Sequence, residues 1–271
     1  MSVTTPINIL VIGEICCDRW IIGSATRLSP EAPVPILNPT KTTENFGMAG
    51  NVRANLLSLG ADRVDLVCQL KEIVKTRYVD AQSGQMILRV DENDVAEPIC
   101  HDWLMQKLCS EQWSAVVISS YSKGFLPNSV VTAIALYCRE AKIPTFMDTK
   151  AILGPWSKDI DFVKINEKEA ASHIQAGIAP VLYCGTFIRT LGPRGAEVIR
   201  KIGDASYTQT LTVSPIEVSS VAGAGDSFLA GLVMEHVRSK DIAKAVDYAN
   251  RVARIAVSKR GVVAVRAEEV V

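Results

Sequence analysis

Short apolar runs closed by glycine or a polar residue alternate along this chain with longer stretches whose apolar residues recur every three or four positions. Residues 7–13 (Ile-Asn-Ile-Leu-Val-Ile-Gly) read as a buried strand of a sheet covered on both faces. Residues 51–59 place Val52, Leu56 and Leu59 on one helical face, and Gly60 stops the helix. From 64 to 90 the pattern shortens to β-forming stretches at 64–67, 73–79 and 85–90, with Ser83-Gly84 as a hairpin turn; this segment reads as a flap over a site. Strands at 115–119, 145–148 and 162–165 then alternate with a helix near 128–141 and another opening near Asn166 or Glu167. Strands 187–190 and 197–201 flank the loop 191–195. Phe228, Leu229, Leu232, Val233, His236 and Val237 give a further helix one apolar face. A last helix, about 241–258, carries Ile242, Ala245, Ala249, Val252, Ala253 and Ala256 inward, and Lys259, Arg260 and Gly261 close it. The alternation predicts an α/β fold: a doubly wound, mainly parallel sheet with helices on both faces.

Composition narrows the partners more than the fold. A chain of 271 residues admits one large domain or two small ones, and it shows no repeat, low-complexity tract or linker. Lys plus Arg equal Asp plus Glu at 29 each, so a bulk basic surface for nucleic acid is not expected, and a nucleotide is the better anionic partner. The seven cysteines, at 16, 17, 68, 100, 109, 138 and 184, form no Cys-x-x-Cys pair and predict reduced, mostly buried thiols. No signal-peptide pattern and no stretch of about 18 uncharged apolar residues is present, so no membrane partner and a cytoplasmic location are expected.

The candidate chemistry centres on Val221-Ala-Gly-Ala-Gly-Asp226-Ser-Phe-Leu, a glycine turn that ends on a carboxylate and opens into a helix. Glycines let backbone amides approach an anion, the helix N-terminus adds positive partial charge, and Asp226 stands where it can take a proton from an attacking hydroxyl. The same residues also read as a tight loop whose carboxylate complements the helix dipole. Asp18, just beyond the first strand, is a candidate substrate contact or a solvated loop carboxylate. Asn51 either caps its helix or offers its amide to a polyol hydroxyl.

Four motifs in order resemble the ribokinase-like (PfkB) family of sugar kinases. Ser220-Val-Ala-Gly-Ala-Gly-Asp226 is similar to the family's Asp-Thr-x-Gly-Ala-Gly-Asp, and Gly47-Met-Ala-Gly-Asn51 to its Gly-Gly-x-x-Asn. Asn166-Glu-Lys-Glu169 resembles its Asn-x-x-Glu, and Thr190-Leu-Gly-Pro-Arg-Gly195 its Thr-x-Gly-x-x-Gly. Within the family, Arg27-Leu-Ser-Pro-Glu-Ala-Pro-Val-Pro35 is similar to a segment of the D-glycero-β-D-manno-heptose 7-phosphate kinase branch, and the likeness continues through residues 121–124, 148–150 and 249–250.

The resemblance implies one ribokinase-like kinase domain over 1–271, with lid segments at about 14–45 and 70–92, that transfers the γ-phosphate of ATP to a hydroxyl of a sugar or sugar phosphate. It implies Asp226 as general base, with the turn Gly223, Ala224 and Gly225 cradling the transferred phosphate. Asp18, Gly47 and Asn51 would contact the sugar, and Arg89 and Lys123 would lie near phosphate or, read as residues alone, be solvated cations. Thr190, Gly192 and Gly195 would shape the nucleotide loop, Asn250 would lie on the adenine-lining helix, and Asn166 and Glu169 would organise Mg2+ through water. Two copies pairing through the lid are expected by the same likeness, and some relatives fuse this domain to a nucleotidyltransferase. Departures stand beside the matches: Ser120 replaces an Asp before Tyr121, Ser220 and Ala222 replace the first Asp and the Thr of the glycine motif, and an α/β unit after residue 69 is missing. Weakened or lost turnover with retained binding is therefore an alternative, as is another acceptor such as a nucleoside or hexose. The missing unit predicts apolar surface in need of another cover.

Overall fold

The computed structural model describes residues 5–259 and 261–270; Arg260, expected among the closing residues of the last helix, lies outside them. In chain order the elements are strands β1 (Asn8–Gly13), β2 (Ile15–Leu28) and β3 (Pro35–Met48), helix α1 (Ala49–Ser58), and strands β4 (Arg63–Val67), β5 (Ile73–Asp80) and β6 (Met86–Glu92). Helix α2 (His101–Cys109), strand β7 (Ala115–Ser120), helix α3 (Asn128–Ala141), strands β8 (Thr145–Thr149) and β9 (Phe162–Asn166), and helix α4 (Glu167–Gln175) follow. Strands β10 (Thr186–Thr190), β11 (Ala196–Ile202) and β12 (Ala205–Leu211) precede helices α5 (Ala224–Ser239) and α6 (Ile242–Ser258).

Eight strands form the main sheet in the order β12-β11-β10-β9-β8-β7-β1-β4. The six from β10 to β4 run parallel, and β11 and β12 add an antiparallel edge. Strand alternation divides the core into two layers. Ile9 and Val11 of β1 face a cluster with Leu56 of α1, Leu229 and Val233 of α5, and Val246 and Val252 of α6. Leu10 and Ile12 face the opposite cluster with Leu104 and Leu108 of α2 and Ile134 of α3. Both faces of β1 are fully buried, which is why its sequence is a continuous apolar run.

A second sheet, β3-β2-β5-β6, joins the two expected lid segments. Strand β5 lies parallel to β2, and β2–β3 and β5–β6 are antiparallel hairpins. Ser83 sits in the β5–β6 turn, where its amide and hydroxyl donate to Asp80. One expectation is corrected and two elements are added. Residues 64–67 belong to β4, the parallel edge strand beside β1, and not to the flap. Helix α2 and strand β12 were not predicted: α2 is short and mostly polar, and β12 (Ala-Ser-Tyr-Thr-Gln-Thr-Leu) is exposed along most of its length. On the face of β1 and β4 opposite α1, Leu104 and Leu108 of α2 together with Trp113 close over Leu10, Ile12 and Val67. The cysteines are all free and four of the seven, Cys16, Cys17, Cys138 and Cys184, are buried, with Cys68 half-buried and Cys100 and Cys109 exposed.

Candidate active site

The glycine turn is built by steric necessity. Gly223 caps α5 with φ of +76°, a conformation L side chains rarely adopt, and a Cβ there would meet Asn51 Nδ2 at 2.7 Å. A Cβ on Gly225 would lie 2.9 Å from Lys164 Nζ. Ser220 Oγ accepts from the Ala222 amide at 3.2 Å, so the hydroxyl that replaces the family carboxylate still braces the turn. The first helical bond of α5 runs from Ser227 N to Gly223 O at 2.9 Å; the Ala224 amide, expected in the cradle, is engaged by Val221 O at 3.3 Å, which leaves the amides of Gly225 and Asp226 at the positive end of the helix.

Asp226 is buried and held from two sides. Tyr121 Oη donates to Oδ1 at 2.8 Å and Asn51 Nδ2 donates to Oδ2 at 3.0 Å. Burial pushes the carboxyl up to about 6, opposed by those two hydrogen bonds and by the Lys164 ammonium, and aided by the Asp148 carboxylate. The cap reading of Asn51 is overturned: Met48 occupies the N-cap of α1 and Asn51 lies inside the first turn. Its amide orientation is set by Asn55, whose Nδ2 donates to Asn51 Oδ1 at 2.9 Å and leaves Asn51 Nδ2 to face Asp226. Asn55 Oδ1 in turn accepts from Val265 N at 3.0 Å. Tyr121 is positioned by Glu14, fully buried, whose carboxylate accepts from the amides of Tyr121 and Lys123 at 2.8 and 2.9 Å.

Two clefts meet at this helix end. A polar one is lined by Tyr121, Asp148, Lys150, Lys164, Asn166 and the turn. A mostly apolar one is lined by Thr190, Gly192, Gly195, Pro215, Phe228, Asn250, Ala253 and Val257. Gly195 has φ of +95°, and a Cβ there would collide with Leu211 O. Asn250 Nδ2 donates to that same carbonyl at 3.1 Å, tying α6 to the end of β12.

The lid supplies the opposite wall. A Cβ on Gly47 would sit 2.3 Å from Asp18 Oδ2, so this glycine is the space Asp18 occupies. Asp18 Oδ1 is engaged by Arg77, whose guanidinium also lies over the Trp20 ring. The two expected phosphate-binding cations are both partnered: Arg89 is exposed and paired with Asp91, and Lys123 is paired with Asp94. Asn166 and Glu169 form a reciprocal capping box on α4, and the other Glu169 oxygen pairs with Lys150. Both Glu169 oxygens are thus engaged within the protein. Asp148 Oδ1, buried with no hydrogen-bond partner among the described residues, is a ready acceptor for a water. Among the described residues no group of three acidic, histidine or cysteine side chains forms a cage for a metal ion. Tyr121, Arg77, Asn55, Lys75 and Lys164 escaped the sequence reading, since each acquires its meaning only from residues distant in the chain.

A glycine turn at a helix N-terminus, a buried carboxylate beside it and an adjoining apolar slot, on a doubly wound sheet with a β lid, define a ribokinase-like sugar kinase. The chain belongs to the pfkB family of carbohydrate kinases, whose pattern matches residues 59–268. Membership places it among phosphotransferases that act on a hydroxyl acceptor. It is 30% identical over 293 aligned positions to the bifunctional protein HldE of Campylobacter curvus, covering 94% of this chain and 62% of that one. The HldE of Caulobacter vibrioides is also 30% identical, over 97% of this chain and 62% of its own. The chain thus spans less than two thirds of the length of these relatives. An alignment longer than this chain means that the relative carries insertions it lacks. Among solved structures, phosphofructokinase-2 of Escherichia coli in complex with potassium superposes with TM-score 0.75 at 15% identity, covering 98% and 97% of the two chains. Ribokinase of Arabidopsis thaliana complexed with ribose and ATP gives 0.67 at 15% identity, covering 98% and 96%.

Proposed function

We propose that this protein is an ATP-dependent kinase of a sugar phosphate, with heptose 7-phosphate as the acceptor. The observation that carries the reading is Asp226: a buried carboxylate at the open end of α5, held by Tyr121 and Asn51, and with a proton affinity raised to about 6. At neutral pH such a group is ionised yet basic enough to receive the proton of an attacking hydroxyl. The amides of Gly225 and Asp226 and the helix end stabilise charge on the transferred phosphoryl group, so positioning and electrostatics dominate. Lys150 and Lys164 add positive charge along the polar cleft. Mg2+ carried with ATP would be held through water by Asn166 and Glu169 and would neutralise phosphate charge. The nucleotide base occupies the slot of Thr190, Gly192, Gly195 and Asn250, and Asp18, Gly47 and Asn51 face the sugar. The heptose assignment is supported by the similarity to HldE proteins.

In this reading residues 1–271 act as one kinase domain and work in the cytoplasm, where ATP is supplied. Among the described residues no helix is long and apolar enough to cross a membrane. Two copies pair through the lid, whose Leu28, Phe46, Met86 and Leu88 are exposed apolar residues. A second reading, retained binding with little turnover, is favoured by Ser220 and Ala222 in the glycine motif. The test is product formation with ATP, Mg2+ and a panel of sugars, sugar phosphates and nucleosides. Asp226→Asn should lower kcat by about 100-fold or more while nucleotide affinity is kept. Equal, negligible turnover by wild type and variant, with sugar or nucleotide still bound, would establish the second reading instead.

A further inference from the structure

The site-facing side of the lid carries Asp18 on β2, Lys75 and Arg77 on β5, and Arg89 and Asp91 on β6, in cross-strand register. Arg77 neutralises Asp18 and Arg89 neutralises Asp91. One cation is left over. Lys75 is 9% exposed, has no carboxylate within 4.0 Å and donates no hydrogen bond among the described residues. Its Nζ lies 5.9 Å from the centre of the Tyr121 ring, the ring whose hydroxyl holds Asp226. Lys150 approaches the same ring at 5.4 Å, but Lys150 is paired with Glu169 and lines the polar cleft. Two ammonium groups thus flank Tyr121, and only the one on the lid lacks a partner.

Lys75 is largely buried along its stem, and its cross-strand neighbours Asp18 and Asp91 are engaged by Arg77 and Arg89, so its ammonium has no carboxylate of its own within 4.0 Å and is open to an incoming anion. We propose that Lys75 is a specificity-determining residue that binds an anionic group carried by the acceptor, so that the site selects a phosphorylated sugar over its neutral counterpart. This rests on the reading of the site as a sugar-phosphate kinase and deepens it. The assignment moves the acceptor phosphate from Arg89 and Lys123, whose charges are already spent on Asp91 and Asp94, to a lid cation beside Tyr121 that has no carboxylate partner among the described residues. The cation–π contact with Tyr121 holds the ammonium in place without neutralising it.

The test compares wild type, Lys75→Gln and Lys75→Arg by calorimetry, with heptose 7-phosphate and the same heptose without phosphate, and with a non-hydrolysable ATP analogue; initial rates are measured alongside. The expected result is a loss of about 10- to 100-fold in affinity for the phosphorylated sugar in Lys75→Gln, with a matching rise in KM, the range for a charge-assisted contact. Affinity for the neutral heptose, nucleotide affinity, kcat at saturation and Tm should stay within about threefold or a few degrees, and Lys75→Arg should recover most of the loss. An unchanged affinity for the phosphorylated sugar overturns the proposal, as does an equal loss for both sugars. A loss confined to the ATP analogue also overturns it, because Lys75 would then serve the nucleotide. Turnover by wild type with no effect of Lys75→Gln removes this assignment alone. Lys75-dependent binding without product in wild type removes the kinase reading alone.

Discussion

The hydroxyl of Tyr121 offers a sharp test of Asp226 as the base. It donates to Asp226 Oδ1 at 2.8 Å, and it stabilises the ionised form, so it holds the carboxyl below the value that burial alone would set. Tyr121→Phe keeps the ring, and with it the contacts to Lys75 and Lys150, and removes only the donor. A hydrogen bond to a charged group is worth about 1.5–3 kcal/mol, and one pKa unit corresponds to about 1.4 kcal/mol. The carboxyl should therefore rise from about 6 by about 1–2 units in the variant. The acid limb of the kcat/KM profile, which reports the free enzyme, should move up by the same amount. At pH 7 the loss in rate should be about fourfold for a shift of 1.5 units, and by pH 9 it should vanish as the carboxylate ionises again. Steady-state rates between pH 5 and 9 in a coupled ADP assay measure this directly. An acid limb that stays in place, or a loss equal at every pH, would refute the assignment of that limb to Asp226.

Two further outcomes follow from the same geometry. A carboxyl raised to about 6 in the fold and about 3.9 unfolded is a burden above pH 6, because the folded state must then hold a buried charge. Stability from this group rises as pH falls through 6 towards 4, and Asp226→Asn should stabilise the protein by about 1–3 kcal/mol at pH 8 and by almost nothing at pH 4, read as Tm in thermal melts. Gly47→Ala would put a methyl 2.3 Å from Asp18 Oδ2 and 2.6 Å from Cys16 Sγ. It should raise KM for the sugar about tenfold or more and leave ATP-analogue affinity unchanged; an unchanged KM would remove Asp18 from the acceptor site.

Much of the architecture was legible because local pattern and buried environment agree. The run Ile-Leu-Val-Ile before Gly13 is apolar on both faces because helices cover both faces of β1. The α5 stripe and the glycine turn were readable for a similar reason, since a helix needs an apolar face and a turn at φ of +76° needs glycine. Asn166-x-x-Glu169 has a second local meaning, the reciprocal capping box the structure shows, which Asn-x-x-Glu also spells. Strand β12 was illegible because its residues are polar and its place is fixed only by pairing with β11.

By itself, then, the sequence determined the elements, the glycine turn, the carboxylate that ends it and the sugar-kinase likeness, all of which rest on neighbours in the chain. Tertiary structure alone decided which charges remain available. Arg77 reaches Asp18 across 59 residues and Tyr121 reaches Asp226 across 105, and no local spacing encodes either pairing. Lys75, Arg77, Arg89 and Lys123 look alike as cations in a sequence. Only the fold, by engaging Arg77, Arg89 and Lys123 with carboxylates and leaving Lys75 without one within 4.0 Å among the described residues, distinguishes them.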